Sequence, residues 1–93
     1  RGVKMDKKKE IKVSAKSPVQ SLASSIVFSI EAGENVVLRA VGASAVNQMY
    51  KGISVARGTL ASKGKDLFIK PGFDEVTEND EKKTVMVAHI VIQ

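Results

Sequence analysis

Eight side chains in this sequence have the types and spacing from which a binding site could be built. They are the cations Lys12, Lys16, Arg39, Lys51 and Arg57 and the polar residues Ser17, Asn47 and Gln48. Lysine and arginine offer a phosphate a full positive charge and several N–H donors. A helix N-terminus adds unpaired backbone N–H groups and the positive end of the helix dipole. Lys16 stands where these two would meet, between a strand-like run and a helix-like one. By spacing alone an ordinary solvated loop lysine is the commoner reading of such a residue. Asn47 and Gln48 open a second helix-like run, in "GASAVNQ", where small residues allow close packing. Their amides suit either a ligand or the backbone of a buried interface.

Catalytic chemistry finds no such footing. The chain has no cysteine and one histidine, His89, so thiolate and multi-histidine metal sites and a histidine triad fall away. The carboxylates Asp74, Glu75, Glu78, Asp80 and Glu81 crowd one turn-like stretch, without the alternating ligands and glycine of a calcium loop. "GASAVNQ" lacks two of the three glycines of a dinucleotide fingerprint, and "GISVARGTLASKGK" only echoes a phosphate loop in composition. His89, between Ala88 and Ile90, is expected to be a packed or hydrogen-bonded structural histidine. The expectation is a protein that is not an enzyme, with no catalytic residue, no metal and no cofactor.

Ninety-three residues make one domain with a single modest core. The apolar share is 43% but aromatics are only 4%, so the core must be aliphatic. Absence of cysteine suits a reducing compartment, and no apolar run approaches membrane-spanning length. A cytoplasmic protein with no membrane partner is expected. The formal net charge of +5 is unevenly spread: residues 1–10 carry +3, residues 11–70 carry +5 and residues 71–93 carry −3. Such polarity permits a polyanion partner on one side of the molecule, while a solvated lysine-rich surface is the commoner source of a +5 charge. Met5 reads as a natural start, in which case residues 1–4 would be a remnant of expression rather than native sequence. The organisation expected is a basic tail over residues 1–10 and one domain over residues 11–93.

The elements that must position these side chains follow from periodicity. "IKVSAKS" alternates like a half-buried strand. Ser17 then reads as an N-cap, Pro18 as the first helical position and Gln20 as the capping-box partner. Val19, Leu22, Ala23, Ile26, Val27 and Ile30 form an apolar helical stripe that Gly33 ends. "NVVLRAVG" reads as an inner strand. From about Ser44 to Ala61 a second helix carries Val46, Met49, Tyr50, Ile53, Arg57 and Leu60 along one side and small residues elsewhere. A helix so nearly apolar all round is expected to serve a subunit interface as well as the core. "DLFIKPGFDEV" reads as a strand broken by a bulge or bend at Pro71-Gly72, "TENDEKK" as a turn and "TVMVAHIVIQ" as a final strand. The order is β-α-β-α-β-β, an α/β pattern closed by a hairpin.

Three segments, "KVSAKS" at 12–17, "AVGASAVNQMYKGISVARG" at 40–58 and "DLFIKPGF" at 66–73, together resemble the stage V sporulation protein S family over roughly residues 11–92. That family is small, bacterial and linked to endospore formation as a regulatory factor. It is similar in fold to the Alba group of nucleic-acid-binding proteins. The resemblance implies an Alba-like α+β two-layer sandwich, two helices packed on a four-stranded sheet, that forms dimers or higher oligomers and binds nucleic acid. This chain departs from the Alba pattern in three places. Where Alba proteins commonly carry two lysines before the proline, it has Lys16 and Ser17; where they are often basic at the start of the second helix, it has Ala43; and its hairpin, usually basic in Alba, reads "FDEVTENDEKK".

Two readings of function result. One is a sporulation-linked regulator binding DNA or RNA as a homodimer or larger oligomer through Lys12, Lys16, Arg39, Lys51 and Arg57. The other is an oligomeric interaction scaffold without direct nucleic-acid binding, whose acidic hairpin, residues 74–81, engages a basic protein.

Overall fold

A computed structural model describes residues 7–93; the stretch read as an expression remnant lies outside the described residues. Six elements follow in the expected order: β1 (Lys8–Val13), α1 (Val19–Glu31), β2 (Asn35–Val41), α2 (Ala43–Ala61), β3 (Leu67–Glu78) and β4 (Glu81–Ile92). The sheet runs β1-β2-β4-β3, with β1 parallel to β2 and the other pairs antiparallel. β2 is thus an inner strand, as its continuous β-branched run requires. β1 begins at Lys8, so residues 8–10 pair with Asn35, Val36 and Val37.

Both helices cover one face of the sheet. The core between the layers is aliphatic, built from Leu22 and Ile26 of α1, Val36 and Leu38 of β2, and Ile53 and Leu60 of α2. All four aromatic side chains lie outside it: Phe28, Tyr50, Phe68 and Phe73 are each at least 48% exposed. Among the described residues the opposite sheet face has no helical layer, yet Val37, Val85 and Val87 are buried there as a second, small cluster.

The ends of α1 depart from expectation at one side only. Ser17 is not the N-cap. Pro18 takes that place, its carbonyl accepting from Leu22 N at 3.0 Å, and among the described residues no side chain caps the helix. A residue before proline is held extended, and the Ser17 hydroxyl turns back to accept from Ser14 N at 2.9 Å. At the other end Gly33, with φ +82°, places its N–H on the Ile30 carbonyl and the Glu34 N–H on the Ser29 carbonyl. This left-handed glycine closure satisfies carbonyls that would otherwise be orphaned. Lys63, past the end of α2, clips the two helices together through a 2.7 Å bond to Glu31. That bond holds the Glu31 carboxyl below its ordinary range.

β3 corrects a second expectation. It is unbroken, its register with β4 running without a slip through Pro71↔Ala88 and Gly72↔Val87. The reason is its place at the sheet edge, where the missing proline donor need not break a ladder. The hairpin turn is only Asn79-Asp80, both at positive φ (50° and 62°), the arrangement that matches strand twist. β2 pairs with β4 no further than Val41↔Val85. Residues 75–84 therefore project past the body as a two-stranded arm.

α2 supplies the third correction. Its buried side is Ala45, Met49, Gly52, Ile53, Ala56 and Leu60, while Tyr50 is 64% exposed. Small residues face inward because α1 comes close: a Cβ built on Gly52 would lie 2.6 Å from Leu22 Cδ2. Gly52 serves an intramolecular helix contact.

Candidate nucleic-acid interface

The turn between β1 and α1 is tightly built. Ser17 N donates to the Ser14 carbonyl at 3.1 Å, and Lys16 N donates to Ser14 Oγ at 3.2 Å. α2 fixes it from the side: Gln48 Nε2 donates to the Ser17 carbonyl at 2.8 Å. Gln48 thus takes the backbone-bonding role, with its amide half-buried. Lys51, one helical turn further along α2, and Lys16, beside the bonded carbonyl, are both exposed. The uncapped N–H groups of α1 open at the same place. Among the described residues neither lysine has a carboxylate within ion-pair distance, so this corner of the molecule is locally positive.

The other predicted residues lie elsewhere. Lys12 is on the helix-free sheet face, beside Glu10 on the same strand. It lines a cavity of about 650 Å³ whose far wall is the arm, with Val76, Glu78 and Lys83. Arg39 shares that face and is occupied: Nη1 meets Asp74 at 2.8 Å and Nε meets Glu10 at 3.4 Å, leaving its side chain 24% exposed. It ties β1, β2 and β3 across the sheet. Arg57 lies farther along α2, 3.9 Å from Asp66. Asn47 is exposed and turns to another surface, a hollow of about 840 Å³ lined mainly by Val41, Val46, Tyr50 and Met86. His89 is exposed on the helix-free face, contrary to the packed role expected of it.

Sequence reasoning missed this apolar hollow and the helix-free face. The hollow gathers residues of β2, α2 and β4 that are distant in sequence, and only the sheet register shows which alternate residues of β3 and β4 the helices leave uncovered. Among the described residues no cluster of three or more histidine, cysteine, aspartate or glutamate side chains could hold a metal ion, and no helix is long and apolar enough to cross a membrane.

The architecture is similar to that of a solved structure, Alba from Thermoplasma volcanium. The match has a TM-score of 0.61 at 14% identity and covers 91% of this chain and 99% of that one. At that identity the likeness is one of fold, and the fold here is Alba-like α+β. A family model described as stage V sporulation protein S matches residues 9–93, nearly the whole chain and all three motif segments. The chain belongs to the stage V sporulation protein S family.

Proposed function

We propose that the protein is a bacterial, cytoplasmic, non-catalytic sporulation regulator that binds nucleic acid as a homo-oligomer. The observation that carries this reading is the Gln48–Ser17 bond, which fixes α2 against the turn that bears Lys16 and leads into the uncapped start of α1, with exposed Lys51 one helical turn beyond Gln48. Free backbone N–H groups beside two unpaired cations suit phosphate, and phosphate contacts are the sequence-independent part of nucleic-acid affinity. Lys12 lies along the same strand toward this turn, while Arg39 is better placed as a brace than as a contact. The test is Lys16→Glu, alone and with Lys51→Glu. Each should weaken binding to all sequences alike and flatten the salt dependence of log K by about 1 or more. Arg39→Gln should alter stability more than salt dependence. Unchanged binding by the double variant at every salt concentration would return both lysines to the solvent.

Self-association is supported by the apolar hollow rather than by Gly52. Val41, Tyr50 and Met86 are exposed around it, and Phe73, opposite Met86 in the hairpin, is exposed too. Several large apolar side chains grouped on one surface mark an interaction site. A second copy fits because the surface offers apolar area and the Asn47 amide with little charge; among the described residues Lys83 is the one charged residue of the hollow's lining. Tyr50→Glu should place a charge in the contact and shift the protein to monomer while leaving its fold intact, read by sedimentation and circular dichroism. A wild-type protein that is monomeric at tens of micromolar, roughly the −6 to −7 kcal/mol regime, would contradict it.

A further inference from the structure

The helix-free sheet face carries a feature that neither the phosphate-binding corner nor the apolar hollow uses. Leu67 is buried in the core, and Ile69, Ile90 and Ile92 pack against it. Strand alternation therefore turns Phe68 and Lys70 of β3, and His89 and Val91 of β4, to the opposite face. Register pairs Phe68 with Val91 and Lys70 with His89, so the two ring systems are diagonal neighbours. Phe68 is 48% exposed and His89 and Lys70 are exposed. On the same face Lys8 and His89 line a cavity of about 210 Å³ with Val37 and Val87 at its floor. Gly72 adds no side chain to that cavity, and among the described residues nothing lies within 4 Å of a Cβ built on it.

Charge on this part of the face is one-sided. The two acids bordering the cavity, Glu10 and Asp74, are both engaged by Arg39. Lys8 and Lys70 have no carboxylate partner among the described residues. An open sheet surface with exposed rings beside unpaired cations is an arrangement on which unstacked bases can lie, each on a π-face, with the backbone phosphates held at the rim. Duplex bases are already stacked on each other and offer no free face to such a platform.

We infer that this face is a binding site for single-stranded nucleic acid, with Phe68 and His89 stacking bases and Lys8 and Lys70 meeting phosphates. It rests on the nucleic-acid reading above but uses different residues, and it adds the class of strand bound. The charge pattern supports this occupant over a second copy of the chain, whose matching face would bring Lys8 and Lys70 against like charge.

The test is fluorescence anisotropy of labelled oligo-U, oligo-dT and a mixed-sequence duplex with the full chain. Phe68→Ala should weaken both single strands by roughly tenfold and leave the duplex unchanged, while Phe68→Tyr should bind as wild type. Lys70→Glu, on an exposed position that the fold does not need, should weaken single strands and flatten their salt slope by about 1. Equal loss for RNA and DNA assigns base and phosphate contacts; a larger loss for RNA adds the sugar hydroxyl, and either supports the site. Single-strand binding that survives both Phe68→Ala and Lys70→Glu overturns it, as does a change of oligomer order in Phe68→Ala with binding intact. Lys16→Glu separates the two proposals. If it weakens all ligands while the Phe68 and Lys70 variants do nothing, the phosphate-binding corner stands and this site falls. The reverse pattern retains this site and removes that corner.

Discussion

Gly52→Glu abolishes the native fold: the variant should lose its cooperative unfolding transition, or retain one lowered by more than about 4 kcal/mol, the range reserved for severe core lesions. The α-carbon of Gly52 faces α1 so closely that even one added carbon lies 2.6 Å from Leu22 Cδ2. Leu22 is itself buried in the core and has little room to move. A glutamate there combines steric overlap with an unpaired charge out of water, and both are unfavourable. The milder Gly52→Ala isolates the steric part. Alanine gains about 1 kcal/mol of helix propensity over glycine, yet overpacking of about 1–3 kcal/mol should exceed it. In a Leu22→Ala background the overlap is gone, and Gly52→Ala should then be neutral or stabilising. Denaturant melts of the four proteins give the coupling directly. A folded, stable Gly52→Glu variant with altered oligomer state would instead place Gly52 between subunits.

Neutralising the arm raises affinity for duplex DNA. The arm curls beside the β1–α1 turn, so that Glu78 faces Lys12, Ser14 and Ala15 across the 650 Å³ cavity. A phosphate near Lys12 is therefore also near acids. Asp74 must be kept out of the exchange, because it anchors Arg39, and its loss would free a cation as well as remove an acid. Glu78 is partly offset by Lys83 at 3.3 Å, which leaves Glu75, Asp80 and Glu81 as the dominant repulsive charges. Replacing Glu75, Glu78, Asp80 and Glu81 by their amides should raise duplex affinity roughly tenfold at low salt and about twofold at physiological salt, where the screening length is about 8 Å. If the arm instead recognises a basic protein, DNA affinity stays flat and capture of a polylysine probe is lost. Abolished DNA binding in the folded variant would contradict both.

The parts legible in the sequence are those set by local physics. The α1 stripe and its Gly33 closure, the inner-strand composition of β2 and the closing hairpin each follow from short-range pattern. The parts that were not legible depend on neighbours. Ser17 has the type and position of an N-cap, but its hydroxyl found Ser14 first. Pro71 reads as a strand breaker until β3 is known to be an edge. α2 has small residues on every side, so periodicity could not say that Tyr50 faces out and Gly52 in. Of the five cations, Arg39 looked as free as Lys16 because its partners, Glu10 and Asp74, are distant in sequence and meet only through the sheet. His89 shows the same limit: its run is apolar, but strand parity turns it to the face no helix covers.

If this fold holds nucleic acid through phosphate contacts, binding by the wild-type protein must weaken as salt rises. With Lys16 and Lys51 and one further lysine engaged, log K should fall linearly with log salt at a slope of about −2 to −3. Binding that is undetectable at low salt, or whose affinity does not change with salt, would mean that phosphate contacts do not hold nucleic acid on this fold.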